Sequence, residues 1–395
     1  MPPTTPDPPT FALTLAAFTW PLQFCAFITA TSYILSVITG NVSQVDRLWT
    51  FLPTIYTAYF ALLPLWPEAP QAFVLAPYVP EELSVYAKDF SPRGVVMFGM
   101  VVLWMCRLSY NTYRRGLFNL HDEDYRWSVL RTQISPLLFQ IVNLTFIAAT
   151  QNVLLLLMGI PTYIAVTQPH TGLVMSDYVC VAAMVVILGL EFTADNQQYA
   201  YQTFKYSFKG QGKYEEGKQW PGARLQWTSE DAERGFVTKG LWAYSRHPNF
   251  ACEQAFWWMI TLVPVLAPFP PSIPHYSFSD ISAVLSDPTL LSLLKSHPKL
   301  LFNKFLTEAS TFYPILSGVC YSILFFSSTP YTESITVKKY PEAYRAYQKR
   351  VGMFSPIGTF EKGVWLRLTG GEKKKREVER VVYGEGKGKE RVKAE

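Results

Sequence analysis

Charge is scarce in this chain. Only 16% of its 395 residues are Asp, Glu, Lys or Arg, and they bunch between stretches that carry almost none. A soluble multidomain enzyme of this length spreads charge over its surface and has no use for apolar runs close to the roughly 20 residues that cross a bilayer, so that class is excluded. Cysteine is scarce as well. Cys25, Cys106, Cys180, Cys252 and Cys320 each lie in or beside an apolar run, and no two are close enough in sequence for a zinc knuckle or a redox pair, so they read as small core residues. There is no Walker-type phosphate loop, no G-x-G-x-x-G after a strand, no G-x-S-x-G turn and no paired zinc ligands, which removes Rossmann, P-loop and hydrolase-elbow chemistry. No basic face interleaved with aromatics speaks for nucleic acid, and no metal site is expected. The proline-rich opening, Met1 to Thr10, lacks the basic start of a signal peptide, so the first apolar segment is expected to stay as a membrane helix.

What is present is apolar: 49% of the chain is hydrophobic and 15% aromatic. The reading is an all-α integral membrane protein of about seven transmembrane helices with cytosolic loops and a cytosolic tail. The spans fall near Phe11 to Ile38, Trp49 to Trp66, Gly94 to Tyr110, Ile134 to Met158, Leu173 to Thr193, Phe250 to Pro268 and Thr311 to Phe326. The loops agree with this order, because Lys and Arg favour alternate ones. Arg107, Arg114, Arg115, Arg126 and Arg131 follow the third span, and Lys205, Lys209, Lys213, Lys218, Arg224, Arg234, Lys239 and Arg246 follow the fifth, whereas Gly159 to Gly172 has neither residue type. Both basic loops and the C-terminus are therefore placed in the cytosol. The loop Phe269 to Ser310 goes to the other side although it holds Lys295, Lys299 and Lys304. Residues 1–10 are expected to be disordered, 11–357 to form the membrane domain, and 358–395 to be a charged tail, disordered or loosely helical, whose run Lys373-Lys374-Lys375-Arg376 suits anionic lipid.

Chemistry concentrates at one place. Gly240 to Phe250, followed by Glu253, sets Arg246, His247 and Asn249 around Pro248, a residue suited to the first position of a helix whose opening amides are unbonded. That is either an anion site at a helix mouth or an interfacial loop facing headgroups. Glu191, Asp195, Gln198 and Gln202 recur at spacings of a helical turn and share one face as the fifth span leaves the membrane. Such a face either surfaces into the cytosol or closes over a polar ligand. Tyr340, Tyr344 and Tyr347 also fall at helical spacing, at headgroup depth or against an adenine ring. The acids of His121 to Trp127 lack the alternating ligands of a calcium loop.

At these residues the chain resembles the steroid 5-alpha reductase C-terminal domain superfamily, which also holds sterol reductases and isoprenylcysteine carboxyl methyltransferases. Within it, the chain looks most like a branch of membrane proteins described only by a domain of unknown function. The resemblance is carried by Ser245-Arg246-His247-Pro248-Asn249 with Glu253, by Glu191 with Asp195, and by Val45 to Trp49. Further support comes from Trp104 with Arg107-Leu108, from Glu123 to Arg126, and from Tyr344 and Tyr347 through Pro356. It implies residence in the endoplasmic reticulum membrane and NADPH as cofactor. Position by position it implies Asp195, Asn249 and Glu253 at the nicotinamide cofactor, with Arg246, His247 and Tyr347 in matching places and Glu191, where steroid reductases have asparagine, as a further cofactor contact.

The expected activity is NADPH-dependent reduction of a carbon–carbon double bond in a hydrophobic lipid or sterol-like substrate, with a protein acid supplying the proton. Asp46 is the expected catalytic acid or its partner, because the matching early segment of the family carries a carboxylate, and Tyr125 is the second donor. Two other readings stand beside it. One is an S-adenosylmethionine-dependent membrane methyltransferase of the isoprenylcysteine type; the other is a lipid-binding membrane protein without catalysis. The lipid bilayer is the expected partner in all three.

Overall fold

The computed structural model describes residues 15–271 and 312–384. The expectation for residues 1–10, and those for Lys295, Lys299 and Lys304, fall outside them. Among the described residues all regular structure is helical. The chain divides into two compact units, Met1–Val181 with Trp257–Cys320 and Ala182–Phe256 with Tyr321–Glu395.

Among the described residues, four stretches are long and apolar enough to cross a membrane: Ala16–Thr39, Pro92–Arg114, Pro136–Thr167 and Met175–Phe208. They are helix α1 (Thr19–Thr39) with the turn before it, α4 (Pro92–Arg114), the run from α6 (Pro136–Val142) through α7 (Gln151–Leu157) to α8 (Ile160–Thr167), and α9 (Met175–Phe208). Their surfaces carry exposed Phe27, Ile34 and Ile38 on α1, Leu103 on α4 and Val179 and Val186 on α9. Apolar exposure on that scale belongs in lipid.

The other three predicted spans take a different form. Trp49 to Trp66 holds only α3 (Leu52–Ala61), ten residues, and the turn Leu63–Leu65. At 1.5 Å per residue α3 is too short to cross. Phe250 to Pro268 lies within α11 (Pro248–Val265) and its exit, but Asn249, Glu253 and Gln254 crowd the first turns of that helix. Thr311 to Phe326 opens the longer α12 (Tyr313–Lys339), rich in Ser and Thr and carrying Glu333.

The first unit is built around aromatic rings. Tyr59 and Phe60 of α3 pack with Phe18, Trp20, Ile160, Tyr163 and Ile164 in one core. Trp20 stacks on Tyr59 at 4.5 Å and Phe60 meets Tyr163 edge-on at 5.4 Å, and such pairs add roughly 0.5–1.5 kcal/mol beyond burial. Between α6 and α7 the backbone widens into a π-helical stretch, Asn143–Thr150, whose buried Asn143 donates to Ser36 Oγ at 2.8 Å. At the starts of α4 and α9, Arg93 Nε donates to Asp177 Oδ1 at 3.0 Å, both side chains buried.

The second unit contains the later part of α9, α10 (Ser229–Arg234), the head of α11, the end of α12, α13 (Pro341–Arg350) and α14 (Pro356–Tyr383). Helix α10 opens with a reciprocal cap between Thr228 and Asp231. Phe236, Tyr344, Tyr347, Val351 and Val382 form one core, which clamps α13 against the end of α14. Most of the predicted tail thus folds as a helix back onto the unit. Its two halves meet at Gly371, whose φ of 69° lies in the left-handed region that glycine occupies at little cost.

Candidate functional site

The motif Gly240 to Asn249 is held from several sides. Gly240 has φ of 65°, and a Cβ there would fall 2.5 Å from the Gln197 amide, so the turn can approach α9 only as glycine. Gln197 Oε1 in turn accepts from Leu241 N at 2.8 Å, and Trp242 Nε1 donates to Ala194 O at 3.1 Å. Beyond the turn, Arg246 N donates to Gly352 O at 2.9 Å and His247 N to Met353 O at 3.1 Å. The buried hydroxyl of Tyr347 donates to Trp242 O, and burial pushes its ionisation well above the usual tyrosine value. Tyr347 is therefore part of the frame of this motif, and its ring lies within the core rather than against an open hollow.

Arg246 and His247 are committed to a residue absent from the sequence reading. Glu333 of α12 accepts from Arg246 Nε at 2.6 Å, Arg246 Nη2 at 3.0 Å, His247 Nε2 at 2.9 Å, Gln348 Nε2 at 2.8 Å and Tyr344 OH at 3.2 Å. Burial alone would raise this carboxyl. The donors and the Arg246 charge outweigh it and hold Glu333 well below the usual carboxylate range. The two cations expected to face an anion thus face an internal carboxylate, and the amides beside them face backbone carbonyls. A sequence signal for Glu333 did exist: it is an acid with no opposite charge within four residues on a long, weakly charged helix, and such an acid implies a partner from elsewhere.

The remaining site residues converge. Asn249 Nδ2 donates to Asp195 Oδ1 at 3.2 Å. That contact sets two helix faces together, because Glu191 lies one turn before Asp195 on α9 and Glu253 one turn after Asn249 on α11. Glu191, Asp195 and Glu253 are 1%, 3% and 6% exposed. Tyr321 OH donates to Glu253 Oε1 at 2.8 Å, a second partner missing from the sequence reading. Asn249 Oδ1 and Gln198 Oε1 are buried acceptors without a hydrogen-bond partner among the described residues. The arrangement is rich in acceptors, with carboxylates and amide oxygens aimed where O–H and N–H groups would satisfy them.

Asp46 and Tyr125 belong to the first unit. Asp46 lies on the short helix α2 (Gln44–Leu48), and Tyr125 opens α5 (Tyr125–Arg131). The two early motifs interlock. Arg47 donates to the Asn119 and Asp122 carbonyls at 3.1 and 2.6 Å, Val42 N to Glu123 Oε1 at 2.9 Å, Asp124 N to Ser43 Oγ at 2.9 Å, and Trp127 Nε1 to Asp46 Oδ2 at 2.9 Å. The neighbouring cation is spent elsewhere, since Arg126 Nε donates to Asp124 Oδ1 at 2.8 Å. Burial pushes the Asp46 carboxyl above its ordinary value, against the attraction of Arg126. Tyr125 is exposed, outside this knot.

Residues 32–268 match the sequence family described as "Protein of unknown function (DUF1295)". The chain belongs to that family. The matched stretch contains Asp46, Tyr125, Glu191, Asp195 and the motif through Glu253, and stops short of Glu333. The chain is also similar to "Uncharacterized protein C594.04c" of Schizosaccharomyces pombe, with 30% identity over 322 residues, covering 81% of this chain and 74% of the relative. No solved structure matches.

Proposed function

We propose that this member of the DUF1295 family is a membrane-embedded reductase that uses NADPH to saturate a carbon–carbon double bond in a hydrophobic lipid. The observation that carries this reading is the Asn249–Asp195 contact, which aligns Glu191 and Asp195 on α9 with Asn249 and Glu253 on α11. Carboxylate and amide oxygens are the acceptors that the ribose hydroxyls and carboxamide N–H group of a nicotinamide nucleoside call for, and Asn249 Oδ1 and Gln198 Oε1 have no hydrogen-bond partner among the described residues. The phosphates require cations away from these carboxylates. Lys205 and the exposed Lys209 follow Gln202 at the end of the same helix.

NADPH, when bound, supplies the hydride. The chain's own part is to orient the nicotinamide through Asn249 and Asp195, to exclude water, and to deliver a proton to the substrate as its double bond is reduced. The proton donor that the family resemblance offers is Asp46 of the first unit, whose carboxyl burial raises above an ordinary aspartate, and substitution there tests it. A membrane setting for a greasy substrate accords with the four apolar helices.

One observation favours a second reading. Arg246 is paired with the buried Glu333 and is not available to a phosphate, which suits S-adenosylmethionine, a ligand without phosphates, better than NADPH. Thermal melting of the purified protein in detergent separates the two readings. NADPH is expected to raise the melting temperature, and Asn249→Ala and Asp195→Ala to abolish the rise while the unliganded proteins still melt cooperatively. A rise with S-adenosylmethionine alone replaces reduction by methyl transfer. For the substrate, lipids from cells with and without the protein are expected to differ by a pair of species separated by two hydrogens.

A further inference from the structure

Among the described residues, helix α14 presents an exposed apolar side. Ile357, Phe360, Val364, Trp365 and Leu368 fall within one helical face, and their exposures run from 40% at Val364 to 75% at Leu368. The opposite side holds Thr359, Gly363 and Leu366, which are buried. Glu361 shares the apolar face and Arg367 flanks it, so the segment is too polar to span a bilayer and suits headgroup depth. Its start lies beside an exposed ring of α12. Phe354, two residues earlier, packs edge-on at 4.8 Å against Phe326 of α12, itself 56% exposed. After the Gly371 kink comes the run Lys373-Lys374-Lys375-Arg376, of which Lys373, Lys374 and Arg376 are exposed.

The same helix grips the candidate site at both ends. Thr359 Oγ1 accepts from Gly352 N at 2.7 Å and donates to Tyr244 O, while Tyr383 OH donates to Ala243 O at 3.4 Å. Arg350 Nε pairs with Glu379 at 2.8 Å and ties the second half to α13.

We propose that α14 is an interfacial helix whose partner is an anionic lipid leaflet. Residues 357–368 seat their apolar side among acyl chains, residues 373–376 meet headgroup phosphates, and the seated helix steadies the turn 240–249 through Thr359 and Tyr383. The lipid contact stands independently of any cofactor; the value of steadying the turn rests on the function proposed above. A basic residue at an anionic surface changes partition by about fivefold, and with Glu372 paired to Arg367 the four basic residues of the run outweigh Glu361 and Glu377.

The test is amide hydrogen exchange on the full chain in nanodiscs of phosphatidylcholine, with and without phosphatidylserine, and without NADPH. Exchange over 357–369 is expected to slow by about tenfold with phosphatidylserine, and exchange over 240–249 to slow with it. Lys373→Glu with Lys374→Glu and Arg376→Glu, all at exposed positions, is expected to erase the difference, as is high salt on the unaltered protein. Leu368→Glu is expected to speed exchange over 357–369 in both lipids. Equal exchange in the two lipids, or a phosphatidylserine effect that survives charge reversal, overturns the proposal. So does the same protection from soluble glycerophosphoserine added to phosphatidylcholine discs, because the ligand is then a free phosphate and not a leaflet. If the helix responds while 240–249 does not, the coupling to the turn is overturned.

Discussion

Asp46 in the first unit and Glu333 in the second both sit where a short motif is bonded to a remote stretch of chain, and they are compensated in opposite ways. Around Glu333 the charges are matched: a guanidinium, an imidazole, an amide and a phenol converge on one carboxylate, and its ionised form is strongly favoured. Around Asp46 the cations are diverted. Arg47 serves backbone carbonyls, Arg126 serves Asp124, and the indole of Trp127 is a neutral donor, so burial outweighs them and raises the carboxyl above an ordinary aspartate. A saturated carboxylate has no capacity left for a substrate and acts as scaffold. An under-compensated carboxyl holds its proton to higher pH than a matched one does, which is where acid catalysis is to be sought.

The largest effect that would break this contrast is at Glu333. Glu333→Ala leaves Arg246 buried without a counter-ion and is expected to destabilise the second unit by about 3–5 kcal/mol. Thermal melting in detergent, with exchange of the 240–249 amides, reads it. Pairing Glu333→Met with Arg246→Met removes both charges and is expected to recover most of the loss. A Glu333→Ala protein that melts like the parent would show that the network is not structural.

The comparable change in the first unit is expected to leave the fold and remove the activity. Asp46→Asn keeps an acceptor for Trp127 and discards a poorly compensated charge, so melting is expected to stay within about 1 kcal/mol of the parent or rise. If Asp46 is the acid, turnover of the lipid found by profiling falls by about 10²–10⁴. Full activity in Asp46→Asn moves the proton to another group and leaves Asp46 as a local staple.

Much of this contrast could be read in advance at the level of motifs and little of it at the level of partners. The stripe Glu191–Asp195 and the segment Arg246–Glu253 were visible because helical spacing fixes which residues share a face. The structure brings Asp195 to Asn249. Arg246 and His247 stood out as cations, but whether a cation is available depends on what lies opposite, and Glu333 is 87 residues away in sequence from Arg246. Tyr321 at Glu253 was hidden for the same reason. Among the spans, α1, α4 and α9 were legible from continuous apolar runs, whereas α3 was not: its aromatic, hydroxyl-rich sequence reads as a span and folds as a short helix in the core. The tail misled in the other direction. Its composition reads as solvated, yet Val382 and Tyr383 dock it.

Acidity sharpens the comparison, since the two carboxyls have opposite signs. Glu333 has a depressed folded value, so its stabilisation is complete above the unfolded glutamate value, near pH 4.3, and is lost as pH falls below it. Asp46 has a raised folded value, so its contribution is complete below the unfolded aspartate value, near pH 3.9, and is lost as pH rises through the folded one. In melting curves from pH 7 to pH 3, Glu333→Gln is expected to flatten the acid-side fall of the parent, and Asp46→Asn to steepen it. The same slope in both variants would remove the distinction between scaffold and acid.

The smallest expected effect is at Tyr347. Its hydroxyl bonds the Trp242 carbonyl and its ring lies in the Phe236–Tyr344–Val351 core. Tyr347→Phe keeps the ring and deletes one buried hydrogen bond, which is expected to cost about 1–2 kcal/mol, because the carbonyl left behind loses a partner it cannot replace. If Tyr347 is frame and not cofactor contact, any affinity for NADPH found in the parent changes less than about threefold while melting drops, the reverse of the pattern expected for Asn249→Ala. A Tyr347→Phe protein that melts normally but binds NADPH at least tenfold more weakly would return the phenol to the cofactor and extend the site from the acceptor face of Asp195 and Asn249 to α13.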